Sequence, residues 1–417
     1  MFIWLHIAIT YHETDCDTSV ENDSLSFVPS DIQKYLKVRP RSDNSTSNGK
    51  NILSVSDIKA EIERYNGRQY VHNEDIFGPL QNDSLIIIVH VRIRYLRHLI
   101  VSLAQARDID TTLLIFSHDF FNSEINDLIQ SIDFCKVLQI FYPYSIQTHP
   151  NTFPGPSPND CSRNMTIEEA LKKNCVNAEW PDMYSHYREA KFTQAKHHWW
   201  WKANRVFSQL EITRYHTGLV LFIEEDHFLA EDFIHVLNLM KKTQPQNCRN
   251  CDVFSLGTYH KVFLRNVYYV YSHRIETSNW ISSRHNMGMA LNRNIWNEIK
   301  KCAINFCTYD DYNWDYSLQI VSNTCLPKKL FVMMPRAPRI FHIGECGFHH
   351  KKKDCEATTF LNQIQTTLKT SKKYLYPKKL KVHSLILRRD NVKNGNGGWT
   401  DLRDHQLCLN ISSSSTS

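Results

Sequence analysis

The chain has no apolar run approaching the ~20 residues that a membrane-spanning helix requires. Its apolar start, Met1 to Thr10 (MFIWLHIAIT), is half that length and lacks a basic flank. It reads as the remnant of a signal segment or as an incomplete anchor. Charge of one sign is scarce too. Lys and Arg number 49 against 43 Asp and Glu, the formal net charge is +6, and the basic residues are scattered apart from Lys351 to Lys353. Nucleic acid is therefore not an implied partner. No GxGxxG follows the first apolar strand, which disfavours a hydride-transferring dinucleotide enzyme and leaves nucleotide-sugar binding open. No internal repeat is present.

Cysteine, by contrast, is plentiful. Twelve cysteines accompany five N-x-S/T sequons at Asn22, Asn44, Asn82, Asn164 and Asn410, a combination that suits an oxidising, secretory compartment. From Tyr11 to about Gly49 the sequence is polar and aperiodic, as in a stem or linker. The tail SSSSTS is low-complexity. The expected organisation is an N-terminal segment over 1–80, a catalytic domain over 81–410 and a disordered tail over 411–417.

At Leu85 the pattern changes. LIIIVHV, a helical RYLRHLIVSLAQA, TTLLIFSHD, a helical NSEINDLIQSI and KVLQIFYPYS spell β-α-β-α-β. Continuous apolar strands alternating with amphipathic helices imply an α/β fold with a Rossmann-like, mostly parallel sheet and helices on both faces. Further strands are expected at Leu219 to Ile223, Asp252 to Leu256, Asn286 to Leu291 and Leu330 to Met334.

The strongest local signal is GLVLFIEEDHFLAEDF, Gly218 to Phe233, where an apolar strand runs into Glu224, Glu225 and Asp226. Ligands of open α/β sheets bind beyond the carboxyl ends of the strands, so carboxylates there are placed to hold a divalent cation against a phosphorylated ligand. An acidic N-cap on a helical HFLAEDFIHVLNLMKK accounts for them equally well. His90 to Arg92 and His118 to Asp119 stand at two other strand ends. In QAKHHWWWK, successive tryptophans point roughly 100° apart on a helix, so Trp199, Trp200 and Trp201 cannot share one buried face. Lys196, His197 and His198 are candidates for a diphosphate and the tryptophans for a sugar platform; burial of that helix on most sides is the competing account. TYDDYNWDY mixes aromatic rings with Asp310, Asp311 and Asp315, a composition suited to sugars. His342, Cys346, His349, His350 and Cys355 crowd into fourteen residues and admit a zinc reading, but C-x2-HH-x4-C matches no strong zinc pattern. In an oxidising compartment a Cys346–Cys355 bridge competes with it.

Taken together, IFSHD, FPGPSPNDC, HYREAKFTQAKHHWWWK, LFIEEDHFLAEDF, CDVFSLGTY, HNMGMALNR, FCTYDDYNWDYSLQ, PRIFHIGECGFHHKK and NGGWTDLRDHQLC resemble the alpha-1,6-mannosyl-glycoprotein 2-beta-N-acetylglucosaminyltransferases, over about Leu85 to Cys408. The resemblance implies a GT-A fold and an inverting transferase. It would carry N-acetylglucosamine from UDP-GlcNAc to the alpha-1,6 arm mannose of N-glycans, with manganese as cofactor, in the Golgi lumen behind an N-terminal membrane anchor. It places the metal on Asp226 and His342 and the general base on Asp315. Donor contacts fall on Ile88, Val89, His90, Val91, Arg92, Asp119, Arg163, Gln194, Ala195, Lys196, His197, His198 and Asn286; acceptor contacts fall on Asp182, Glu224, Tyr312 and Trp314. It also implies bridges Cys161–Cys175, Cys248–Cys251, Cys302–Cys325, Cys307–Cys408 and Cys346–Cys355, leaving Cys16 and Cys135. One departure matters: HVRIRYL stands where the family carries HNRPEYL, so Val91 and Ile93 replace a polar contact and a turn former. Another UDP-sugar transferase and a catalytically idle glycan-binding descendant are the remaining alternatives.

Overall fold

The computed structural model describes residues 28–36, 53–91, 95–259, 266–344, 357–385 and 395–413. Its twelve strands are β1 Val71–His72, β2 Ile86–Val91, β3 Leu113–His118, β4 Lys136–Phe141, β5 Leu219–Glu224, β6 His227–Leu229, β7 Val253–Ser255, β8 Arg274–Asn279, β9 Met289–Asn292, β10 Phe331–Pro335, β11 Ile340–His342 and β12 Lys381–Ser384. Ten form one sheet in the order β1-β4-β3-β2-β5-β9-β7-β10-β8-β12, while β6 and β11 form a separate antiparallel ribbon. Five of the nine pairings in the large sheet are parallel, including the run β4-β3-β2-β5. The helices that position the site are α1 Val55–Arg68, α2 Leu96–Ala104, α3 Ser123–Gln130, α4 Ile167–Lys173, α5 Ala190–Ser208, α6 Phe233–Asn247, α7 Ala303–Thr308, α8 Trp314–Thr324 and α9 Leu402–Ser413.

Strand periodicity explains the two cores. In β2, Ile87, Val89 and Val91 point to one face, joining Leu99 and Ile100 of α2, Ile125 and Ile129 of α3, and Phe233 and Leu237 of α6. Ile86 and Ile88 point to the other, joining Trp199, Trp200 and Phe207 of α5, Phe306 and Leu318. Every residue of β2, β3 and β4 is buried, which is why those strands read as continuous apolar runs.

The β-α-β-α-β unit and the four further strands lie where the sequence placed them, within a few residues. Five strands carried no signal: β1, β6 and β11 have two or three residues, and β8 (RIETSN) and the edge strand β12 (KVHS) are polar. Two boundaries need correction. The fold reaches into the segment expected as a stem, because α1, closed by a Ser54–Asp57 capping box, packs Ile58 and Ile62 on Phe141, and β1 pairs with β4. At the other end α9 runs to Ser413, with Ile411 buried and the Ser412 hydroxyl accepting from the Trp200 indole, so the tail expected from 411 is helical there. Disulfides join Cys161–Cys175, Cys248–Cys251, Cys302–Cys325 and Cys307–Cys408, the pairs that the resemblance implied. Cys135 is free and buried; Cys16, Cys346 and Cys355 lie outside the described residues.

Candidate active site

The carboxylates at the end of β5 do not cap a helix. His227–Leu229 turn back as β6, pairing with β11 so that His227 faces His342, and α6 begins only at Phe233. The helix expected from His227 is displaced because a strand partner, distant in sequence, claims the first three residues. A buried pair fixes that partner. Arg339 Nε donates to both carboxylate oxygens of Asp232, at 2.8 and 2.9 Å, and neither side chain has exposed surface. The Arg339 N–H bonds to Leu256 O, Ala230 N bonds to Arg339 O, and Ile343 N bonds to Asp226 O.

This ribbon carries His342 Nε2 to 3.2 Å from Asp226 Oδ2. Adjacent corners of an octahedron with bonds of about 2.1 Å lie about 3 Å apart, so both donors can share one hard divalent cation. Gly344 leaves room for the carboxylate: a Cβ there would lie 2.7 Å from Asp226 Oδ2. Glu224 and Glu225 complete a set of carboxylates whose oxygens lie within 4.8 Å of one another. Among the zinc candidates of the sequence only His342 is described, and its neighbour is this carboxylate.

A second group gathers at the ends of β2 and β3. His90 Nε2 stands 3.6 Å from Asp119 Oδ2. Gln194 donates to Asp119 at 3.2 Å and accepts from Ile146 N. The His198 ring lies 4.4 Å from that of His90, and its Nε2 is 2.7 Å from Ser117 Oγ. Thus His90, Asp119, Gln194 and His198, dispersed in sequence, converge. Ile88 and Val89 do not take part through their side chains, which sit in the two cores. Val91 is buried, Ala195 half-buried, and Arg92 lies outside the described residues. Arg163, ion-paired with Glu189 at 3.3 Å, lines a neighbouring cavity of about 500 Å³ with Ile146, Pro156, Glu189 and Lys191.

Two candidates for the diphosphate, Lys196 and His197, are in the interior instead. Lys196 Nζ donates to Tyr309 O and Asp311 O and lies 4.0 Å from the Trp399 ring centroid; His197 Nε2 is 2.9 Å from Asp404 Oδ1. The tryptophans are no sugar platform. Trp199, Trp200 and Trp201 are all buried, because β5 and β9, α7, α8 and α9 enclose α5. Trp200 stacks on Phe306 at 4.2 Å, Trp199 on Trp314 at 4.3 Å, and Trp201 meets Tyr142 at 5.7 Å. The three directions that seemed to require a ligand each meet another segment.

Asp315 opens α8. Burial pushes its carboxyl up to about 6, with Asp311 adding to the effect, against the opposing bonds from Tyr316 N and the Asn286 amide. Asn286 Nδ2 donates to Asp315 Oδ2 at 2.8 Å, fixing one oxygen. Tyr259, which sequence reading passed over, links this base candidate to the Asp226–His342 pair. Its ring centroid lies 5.7 Å from that of His342 and its hydroxyl interacts with the Asn286 side chain; the residue as a whole is 47% exposed, but desolvation at the hydroxyl end, with Glu224, Asp315 and Asp226 adding to it, pushes its phenol up. Tyr259 ends CDVFSLGTY, one of the stretches that carry the resemblance, but the resemblance attaches no role to it. Of the acceptor candidates, Glu224 and Tyr312 are half-buried at the site, Tyr312 stacked on Phe192 at 4.9 Å. Trp314 is half-buried against Trp199. The Asp182 carboxylate already accepts from Tyr184 N, His186 N and Gly398 N, so one lone-pair position at most remains for a ligand.

The family model for N-acetylglucosaminyltransferase II (MGAT2) matches residues 59–408. The chain belongs to the N-acetylglucosaminyltransferase II family. Relatives named alpha-1,6-mannosyl-glycoprotein 2-beta-N-acetylglucosaminyltransferase include one from Rattus norvegicus, 47% identical over 83% of this chain and 78% of the relative. The Homo sapiens protein is 46% identical over 83% and 77%, and that of Arabidopsis thaliana 32% over 81% and 77%. A solved mannosyltransferase, PcManGT from Pyrobaculum calidifontis in complex with GDP-Man and Mn2+, aligns over 77% of this chain and 83% of its own at a TM-score of 0.29 and 10% identity, too distant to bear on ligands. The strand ends in the parallel half of this α/β sheet are where both clusters of side chains gather.

Proposed function

We propose that this chain is an inverting glycosyltransferase that moves N-acetylglucosamine from UDP-GlcNAc to the 2-hydroxyl of the alpha-1,6 arm mannose of N-glycans, forming a beta-1,2 linkage. Family membership over residues 59–408 supports the reaction. The observation that carries the mechanism is Asp315, a buried carboxylate of raised proton affinity with one oxygen held by Asn286 and the other bonded by the Tyr316 N–H.

Asp315 takes the proton of the mannose 2-hydroxyl as that oxygen attacks the anomeric carbon from the face opposite UDP; the C–O bond to the diphosphate breaks in the same displacement, and configuration inverts. A base of affinity near 6 stays ionised at neutral pH and holds the proton more firmly than an ordinary carboxylate. Asp226 and His342 would hold manganese, whose oxygen and nitrogen preferences they meet. When bound, the ion supplies positive charge to the departing diphosphate. His90, Asp119, Gln194 and His198 would grip the nucleoside end, and Tyr312 and Glu224 the acceptor.

Location in the Golgi lumen belongs to the same reading. It is supported by four disulfides among the described residues. No described helix is long and apolar enough to cross a membrane, and residues 1–27 lie outside the description.

The test is transfer from UDP-GlcNAc to a biantennary glycan whose other arm carries N-acetylglucosamine, with and without manganese. A metal-dependent product with a new beta-1,2 linkage on the alpha-1,6 arm is expected. Asp315→Asn should abolish turnover and leave UDP binding intact; near wild-type turnover in that variant would overturn the base assignment.

A further inference from the structure

We propose that Lys196 is a positioning residue for the strip that carries Asp315, and that the Phe192–Lys196–Trp199 face of α5 is the template on which that strip is held. The inference rests on the reading of Asp315 as the base. Residues 192, 196 and 199 are spaced by four and three and so share one helical face. Along that face the ring of Phe192 stacks on Tyr312 at 4.9 Å with an interplanar angle of 30°. The Lys196 ammonium takes Tyr309 O at 3.1 Å and Asp311 O at 2.9 Å. Trp199 stacks on Trp314 at 4.3 Å and 4°. Together the three contacts hold residues 309, 311, 312 and 314, and the last ends one residue before Asp315.

Lys196 is the polar centre of this template. Its side chain has no exposed surface and sits between the rings of Trp399 and Phe306, at 4.0 and 5.3 Å. A buried ammonium must be paired, so any conformation of 309–311 that turns its carbonyls outward strands the charge among aromatic rings. The strip is held from the opposite side as well. The Asp311 carboxylate accepts from Asn396 N and Nδ2 and from Asn313 N and Nδ2, and Asp310 accepts from Trp399 N. Gly395 lets the C-terminal segment lie against the strip, since a Cβ there would fall within 2.2 Å of Asp310 O. The base and the acceptor ring Tyr312 are thus set before substrate arrives, which removes an ordering cost from the reaction. The charged and titratable groups facing Lys196 are Asp311 and Asp310 of the strip, Asp404 of α9 and His197 of its own helix. Burial lowers the ammonium to about 7, and the three carboxylates pull it back up. Loss of that proton above neutral pH leaves a neutral amine, whose two remaining N–H bonds to the carbonyls are weaker because they are no longer charge-assisted.

The experiment compares the full chain with Lys196→Met, Phe192→Leu and Asp315→Asn, measuring turnover, acceptor KM, donor KM and UDP affinity across pH. For Lys196→Met the expected result is at least a ten-fold loss of turnover, a several-fold rise in acceptor KM and donor KM within two-fold. A fall in turnover as pH rises through about 7 is expected of the wild type and should be absent from the variant. Wild-type kinetics, or a ten-fold rise in donor KM with turnover kept, would overturn the proposal, the second by returning Lys196 to the diphosphate. If Lys196→Met does not fold, half-buried Phe192→Leu decides: a three-fold or greater loss in kcat/KM for acceptor with unchanged donor KM supports the template, and unchanged kinetics refutes it. Should Asp315→Asn keep its turnover, the base reading fails; should it be inactive while both template variants behave as wild type, only the present inference fails.

Discussion

Replacing Arg339 by Met separates the energetics of the β6–β11 ribbon from the chemistry of its ends. Arg339 gives its Nε–H to both oxygens of Asp232, donates to Ala337 O and Ser272 O, and packs 5.2 Å from the ring of Tyr268. Asp232 in turn accepts from Tyr376 N at 3.1 Å. Both charges are fully buried, so removing one leaves the other uncompensated, at a cost of about 3 to 5 kcal/mol. With an unfolding entropy of about 2.1 cal/mol/K per residue, the matched region of roughly 350 residues gives about 0.7 kcal/mol/K, and the melting temperature should fall by about 4 to 7 °C. Because Arg339 sits three residues before His342, the manganese concentration needed for half-maximal activity should rise as well. The double variant Arg339→Met/Asp232→Leu removes both charges and should recover most of the stability, since apolar replacement of a whole buried pair is often neutral or better. Differential scanning calorimetry of the two proteins checks the first part and a manganese titration of activity the second. A single variant that loses less than 1 kcal/mol, or a double variant no more stable than the single, would refute the account of the ribbon.

Asp315→Asn should cost turnover and gain stability together. The folded-state affinity of Asp315 is raised to about 6 from 3.8, so ionising it opposes folding; that penalty is absent below about pH 4, grows as pH rises through the folded value, and reaches up to about 3 kcal/mol at pH 7. Thermal melts at pH 4.5 and 7.5 should therefore separate the variant from the wild type about three times as much at the higher pH, while wild-type turnover falls as pH drops through about 6. Trp200→Ala removes a ring that stacks on Phe306 and donates to Ser412; denaturant unfolding should show a loss of about 3 to 5 kcal/mol, and a loss below 1 would mean that α5 is not the core helix described. Tyr259→Phe keeps the ring beside His342 and removes the hydroxyl facing Asn286, so steady-state kinetics should show turnover lower by about five-fold, the equivalent of about 1 kcal/mol, with an unchanged melting temperature.

The parts of this protein legible in the sequence are those whose signals are local. The β2–β3–β4 run declared itself because strands buried on both faces must be apolar throughout, and the carboxylates after β5 declared themselves because an abrupt acidic end to such a run is rare. The resemblance added residue roles that composition left open between a metal edge and a helix cap, and between a sugar platform and a buried helix. The two-residue β1 and three-residue β6 and β11 left no mark, because so short a strand is made by its partner rather than by its own composition. Tyr259 closes a stretch that carries the resemblance without a role attached to it, and it matters through what surrounds it.

By itself, then, the sequence determined the α/β class, the place of the first strand ends and the family, because hydrophobic period and long motifs are properties of neighbouring residues. Tertiary structure alone decided which face of Trp199–Trp201 was covered, that Lys196 holds backbone carbonyls rather than a ligand, and that a ribbon of β6 and β11 is what brings His342 to the Asp226 that the resemblance had paired with it. Each of these depends on segments separated by about a hundred residues or more, such as α9 against α5 and β11 against β6. Burial and pairing are settled by what such segments bring, and no local pattern records it.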